Sequence, residues 1–126
     1  MASRDLNDAD KILRDAYLKA AQIFIEKYPG VTPVVTCTYR SETEQAELYA
    51  LGRTKPGKIV TQIKKGGKHN IKPSKAIDIA FKIGKEIDWD AKHFKRFAEI
   101  ITTLEPRISW GGNWKRFKDL PHYEIV

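Results

Sequence analysis

The run Ala76-Ile77-Asp78-Ile79-Ala80-Phe81 constrains the fold more than any other segment. Its apolar, branched and aromatic residues read as a strand. Alternation sets Ile77, Ile79 and Phe81 on one face and Asp78 on the other, between Ala76 and Ala80. The first face needs helices to cover it. The second carries a carboxylate where a strand disfavours one, and its small neighbours leave room above it. An Asp paired with a lysine at the sheet surface fits the same pattern.

The rest of the chain supplies the cover. With Asn7 or Asp8 as cap, Ile12, Leu13, Ala16, Tyr17, Ala20, Ala21, Phe24, Ile25 and Tyr28 make a wide apolar helical stripe that Pro29-Gly30 ends. Val34-Val35-Thr36-Cys37-Thr38-Tyr39 reads as a strand. Ser41 and Glu44 form a capping-box pattern opening a helix to about Leu51, with Gly52 as its stop. Ile59-Val60-Thr61 is expected as a short strand and residues 64–74 as a loop. The central strand turns at Gly84-Lys85 towards Ile87. Asp90 caps a third helix, with Phe94, Phe97, Ile100, Ile101 and Leu104 inward and Pro106 after its end. Residues 107–110 and 122–125 read as the last strands, separated by the break at Gly111-Gly112. The order α-β-α-β-β-α-β-β implies an α+β fold, with about three helices packed against a small, mostly antiparallel sheet. The 126 residues are expected to form a single domain, 1–126.

Composition narrows the function. The chain is 41% hydrophobic and 31% charged, which excludes a disordered chain. A net charge of +7 favours polyanions: nucleic acid, anionic lipid or an anionic cell-wall polymer. The single Cys37 excludes an internal disulfide and a multi-cysteine zinc site, and it reads as a buried core residue. No apolar run is long enough for a transmembrane segment. The N-terminus has no apolar stretch of the secretory kind, so the chain is expected to start in the cytoplasm. Arg53, Lys55, Lys58, Lys64, Lys65, Lys68, Lys72 and Lys75 crowd one region and offer phosphate contacts. No helix-turn-helix, zinc-finger or ribonucleoprotein pattern accompanies them, so specific nucleic-acid recognition is not expected.

Three histidines remain. His93, in the third helix beside inward-facing Phe94, reads as solvated or structurally hydrogen-bonded. His69 lies in the loop before the Asp78 strand, and His122 opens the last strand after Pro121. Two imidazoles and a carboxylate with an open fourth position make a hydrolytic zinc site, which activates water and polarises a carbonyl. Such a site needs a general base beside it. Asp119, three residues before His122, and Glu124, two after it on the same strand face, are the candidates, either to hold the water or to orient a ligand.

Four blocks then appear in order. The first is Tyr39-Arg40-Ser41 with Gln45 and Leu48-Tyr49; the second runs from Gly52 through Pro56-Gly57 to Thr61. The third is His69-Asn70-Ile71-Lys72-Pro73-Ser74-Lys75-Ala76-Ile77-Asp78. The fourth is Trp110-Gly111-Gly112-Asn113-Trp114, then Phe117, then Asp119-Leu120-Pro121-His122-Tyr123-Glu124. Together they resemble the D-alanyl-D-alanine carboxypeptidase-like zinc peptidases, and within these the phage endolysins that act as L-alanyl-D-glutamate peptidases.

The resemblance implies one Zn2+ held by His69, Asp78 and His122, with Asp119 as catalytic base. It implies that Arg40 binds the substrate carbonyl or stabilises the oxyanion, a role suited to a fixed cation. A salt bridge at a strand end is the alternative for Arg40. Gln45, Ser41, Trp110 and Trp114 become substrate-binding candidates; a structural cap or surface role for Gln45 and core packing for at least one of the tryptophans are the alternatives. The implied reaction is hydrolysis of the L-alanyl-D-glutamate bond of the peptidoglycan stem peptide by a monomer without a separate wall-binding domain. It would be attracted by the anionic cell envelope and released from the host cytoplasm through a pore made by another protein. D-alanyl-D-alanine carboxypeptidase or dipeptidase activity uses the same metal site. A basic binding module and a relative that binds wall peptides without cutting them are the non-enzymatic alternatives.

Two departures stand out. Gly67 occupies the serine position of the common S-x-H-x-x-G-x-A-x-D pattern, and Asp78 follows His69 by nine residues, two more than in that pattern.

Overall fold

The structure is a computed structural model that describes residues 2–61, 63, 66–115 and 118–126. Phe117 of the fourth block and Lys64 and Lys65 of the basic region lie outside the described residues. The elements are α1 (Lys11–Lys27), β1 (Thr32–Cys37), α2 (Glu42–Ala50), β2 (Ala76–Ile83), β3 (Glu86–Ile87), α3 (Ala91–Leu104), β4 (Ile108–Trp110) and β5 (His122–Ile125). Short 3-10 turns span Leu6–Asp8, Lys68–Asn70 and Gly111–Asn113.

The α+β expectation holds, with the strands in an open antiparallel sheet of order β1-β2-β5-β4 and β3 against the end of β2. The string of element types also matches, but for a different reason than expected. Residues 59–61 form no strand: Ile59 and Val60 are exposed. The hairpin strand β3 takes that place in the order. Asp10 caps α1 rather than Asn7 or Asp8, because those residues are already used in the 3-10 turn that Asp5 caps. Ser41 and Asp90 cap α2 and α3 as their sequences require, each side chain accepting from a backbone N–H of the first turn.

Helices α1 and α3 pack on each other and on one face of the sheet. Leu13, Phe24, Phe94, Phe97 and Ile101 meet Ile77, Ile79, Phe81 and Tyr123 there, all fully buried. Aromatic edges interlock in this layer: the Phe81 and Phe94 rings are perpendicular with centroids 4.9 Å apart. Ile25 and Leu104, expected to face inward, are 44% and 41% exposed, at the margins of their stripes. His93 is buried with Nε2 3.2 Å from Asp88 Oδ2, a structural contact at the start of α3.

The opposite face of β2 is the one that matters for chemistry. Asp78 pairs with His122 across β2 and β5, and with Cys37 across β2 and β1. A bulge between Val35 and Cys37 shifts β1 by one residue. Without it Cys37 would stand opposite Ile77, on the core side; with it, Cys37 joins Asp78.

Candidate active site

The sheet centre presents Cys37, Asp78 and His122 side by side, and His69 hangs over them from the 3-10 turn of Lys68–Asn70. Asn70 shapes that turn: its Oδ1 accepts from Gly67 N at 2.9 Å and its Nδ2 donates to the Arg40 carbonyl at 2.8 Å. At Gly67 a β-carbon would sit 3.1 Å from Asn70 Oδ1 and 2.9 Å from an Ile63 methyl. The turn is therefore held by the Asn70 side chain, and the serine of the common pattern would require the Ile63 methyl to shift.

His69 Nε2 lies 3.2 Å from Asp78 Oδ1, and His122 Nδ1 lies 3.5 Å from the same oxygen. The outer nitrogen of each ring is held. His69 Nδ1 donates to the Thr38 carbonyl at 2.7 Å, and His122 Nε2 donates to Glu124 Oε1 at 2.7 Å. A carbonyl only accepts, so the Thr38 contact fixes the proton on Nδ1 and turns Nε2 of His69 towards Asp78. Asp119 Oδ2 is 4.0 Å from His122 Nδ1. Two groups of ligand atoms, each within 4.8 Å, meet at Asp78: Cys37 with His69, and Asp119 with His122.

The charges are tightly set. Burial would raise the Asp78 carboxyl, but His122 and His69 overrule it and hold it well below the usual carboxylate range. Burial would lower His69; the hydrogen bonds to Asp78 and Cys37 raise it instead to about 10. Burial, then the Asp78 charge, push Asp119 upward. Glu124 is lowered to about 2, chiefly by its bond to His122, with Lys68 assisting against burial.

Arg40 is fixed on three sides. Its Nη1 donates to Gln45 Oε1 at 2.9 Å, and its Nη2 lies 3.4 Å from Cys37 Sγ and 3.7 Å from Asp78 Oδ2. Gln45 is buried, and its Nε2 donates to the Ile63 carbonyl at 2.6 Å and to Thr61 Oγ1 at 3.3 Å. These bonds leave its amide engaged with the protein. Arg40, Gln45, His69, Asp78, Asp119 and His122 line one cleft of about 1050 Å³, whose other walls include Leu48, Leu51, Val60 and Trp114. Trp114 stands 5.0 Å from the His122 ring.

Ser41 and Trp110 have other places. Ser41 caps α2, accepting from Glu44 N at 3.1 Å. Trp110 packs on the core, and its indole N–H donates to the Leu120 carbonyl at 2.7 Å. Cys37, read as a core residue, is buried but touches the site: Sγ is 3.6 Å from His69 Nδ1. The bulge in β1 puts it there, and no sequence pattern announces the bulge. The site contacts of Thr38, Asn70 and Lys68 are not legible in the sequence, because Thr38 meets His69, Asn70 meets Arg40 and Lys68 meets Glu124 across long stretches of chain. In the basic region, Lys68, Lys72 and Lys75 pair with Glu124, Asp8 and Asp10, so much of that charge is spent inside the protein.

Residues 64–125 match the D-alanyl-D-alanine carboxypeptidase family of peptidases. The chain is 41% identical over 107 residues to the peptidoglycan L-alanyl-D-glutamate endopeptidase CwlK of Bacillus subtilis (strain 168), across 77% of this chain and 62% of that protein. It thus spans less than two-thirds of that relative's length. The crystal structure of the Serratia marcescens L-Ala D-Glu endopeptidase ChiX shares the fold, with a TM-score of 0.69 over 100% of this chain and 89% of that one, at 20% identity. The segment that carries His69, Asp78, Asp119 and His122 is thus similar to the D-alanyl-D-alanine carboxypeptidase family of peptidases, and the whole chain shares the fold of ChiX.

Proposed function

We propose that this chain is a zinc-dependent peptidoglycan endopeptidase that hydrolyses the L-alanyl-D-glutamate bond of the stem peptide. One observation carries the reading. Both histidines have their outer nitrogens held, by Thr38 and Glu124, so that His69 Nε2 and His122 Nδ1 converge on one oxygen of Asp78 inside a cleft. Outer-nitrogen bonds of this kind orient imidazole ligands for a metal. A tetrahedral zinc with bonds of about 2.0–2.1 Å needs ligand atoms about 3.3–3.4 Å apart. The two imidazole-to-carboxylate separations, 3.2 and 3.5 Å, fit that requirement, while His69 and His122 belong to two different groups of close ligand atoms that share Asp78, so a bound ion would have to draw the two rings together. His69, Asp78 and His122 are therefore the residues that would hold the ion. When bound, zinc supplies Lewis-acid polarisation of the scissile carbonyl and brings the pKa of water down to about 7.

The chain's own groups do the rest. The Asp119 carboxylate takes a proton from the attacking water as the new C–O bond forms. It then delivers that proton to the leaving amine as the C–N bond breaks. Arg40, held by Gln45 and Asp78, offers a fixed cation to the charge that develops on the carbonyl oxygen. The choice of bond follows the 41% identical relative, which is named for it. D-alanyl-D-alanine carboxypeptidase activity is the second reading, favoured by the family description.

Mass spectrometry of fragments released from purified peptidoglycan, with and without a zinc chelator, separates the two. Chelator-sensitive release of peptides beginning at D-glutamate is the expected result. Loss of only a terminal D-alanine would transfer the chain to the second reading. No release by zinc-loaded protein would remove both.

A further inference from the structure

Lys68 precedes one histidine in the chain and reaches the other through space. Its ammonium lies 2.9 Å from Glu124 Oε2 and also donates to the Ile125 carbonyl. The other oxygen of the same carboxylate accepts from His122 Nε2 at 2.7 Å. Lys68, Glu124 and His122 thus form one continuous chain of contacts, while the backbone of Lys68 leads directly into His69. We propose that Lys68 is a positioning residue that clamps Glu124, and through it sets the orientation of His122 relative to His69.

The physical reason lies in the two-point hold on Glu124. A carboxylate gripped only by His122 can rotate about its terminal bond or turn to solvent. With Lys68 on one oxygen and His122 on the other, its plane is fixed, and the ring it orients is fixed with it. The same contact ties the turn carrying His69 to strand β5. The backbone provides a separate tether: Lys75 N donates to the Lys68 carbonyl at 2.8 Å, and Ile125 N donates to the Lys75 carbonyl at 2.9 Å. Loss of the Lys68 ammonium therefore leaves the turn attached while releasing the carboxylate. Lys68 is itself partly exposed, its side chain at 39%, so truncation opens no core cavity.

The inference rests on the metal-centre reading above. Its test is zinc affinity of the intact protein, measured by competition with a chromophoric chelator, for wild type, Lys68→Met, Lys68→Arg, Glu124→Gln and the Lys68→Met/Glu124→Gln double variant. The visible spectrum after cobalt substitution is recorded for each, and circular dichroism checks the fold. Lys68→Met is expected to weaken zinc binding by about tenfold and to change the cobalt spectrum. Lys68→Arg, which keeps a cation at Glu124, is expected to restore most of both. In the Glu124→Gln background the Lys68 change is expected to add little, since both act through one contact. A Lys68→Met protein with wild-type affinity and spectrum overturns the clamp. So does a full additional loss in the Glu124→Gln background, or an arginine variant as weak as the methionine one. Wild type that binds no zinc overturns the metal-centre reading itself, and the clamp with it, which keeps the two failures distinct.

Discussion

A β-carbon added to Gly111 would stand 2.3 Å from the carbonyl oxygen of Asp119, and 3.1 Å from the His122 β-carbon. Gly111 also accepts the Asp119 N–H at 3.1 Å, so the two residues are locked together by backbone alone. The absence of a side chain at 111 is what lets the segment carrying Asp119 fold back over the sheet and set its carboxylate beside His122.

Gly111→Ala is therefore expected to destabilise the protein by about 1–3 kcal/mol, the range for forcing extra volume into a packed site. It should also weaken zinc binding, because the displaced segment contains both Asp119 and His122. Denaturant unfolding and zinc titration of the same preparation check both effects. Unchanged values in both would show that the segment moves aside without cost.

Asp119→Ala should lower turnover by about 10²–10⁴-fold, the usual contribution of a positioned general base, while fold and zinc affinity stay near wild type. Glu124 was the other candidate base in the sequence. The structure commits it to His122 and Lys68, with its carboxyl lowered to about 2, so it makes a poor substitute. Turnover on peptidoglycan that survives in Asp119→Ala would move the base elsewhere in the cleft.

Zinc binding should expel protons. His69 is raised to about 10, so at pH 7 its imidazole carries a proton on Nε2 that a metal must displace. His122 is raised as well, by Asp78 and Glu124 against burial. Affinity is thus expected to strengthen as pH rises from neutrality towards pH 10 and to weaken as pH falls. Calorimetric titrations in buffers of different ionisation enthalpy count the protons directly. Identical heats in all buffers would contradict the protonated state of His69.

The alkaline limit of stability should involve Tyr17 and Tyr123. Both are buried, and burial raises both phenols above their ordinary value. A raised pKa in the folded state means that their contribution is fully present below about pH 10 and is lost as pH climbs further. Among the five tyrosines, these two are expected to ionise only as the protein unfolds. Near-ultraviolet absorbance followed alongside circular dichroism shows whether a delayed phase of ionisation coincides with unfolding.

The sequence made the sheet's central strand and three helices legible because hydrophobic period and caps are local signals. Ser41 and Asp90 cap the helices their spacing announced. The β-branched triplet at residues 59–61 misled because strand propensity does not reveal whether a partner edge is within reach. At the site, Asp78 stood out as a carboxylate in an apolar strand, and the resemblance supplied His69, His122, Asp119 and Arg40. What stayed hidden depends on contacts between distant segments. Cys37 needed the β1 bulge to reach Asp78, and the bonds of the Gln45 amide to Arg40 and residues 61 and 63 join segments that the sequence does not show to be neighbours.

On β2 the apolar layer and the reactive face differ by a single step along the chain: Ile77 and Ile79 point one way and Asp78 the other. A strand paired one residue out of place would drive Asp78 into the hydrocarbon layer and lift the isoleucines into the cleft. Misalignment would take apart the apolar layer and the cluster of Asp78 with His69 and His122 in a single step. On the proposed metal-centre reading, capture of an ion would act as a proofreader of strand pairing, rewarding only chains whose sheet has already found its correct alignment.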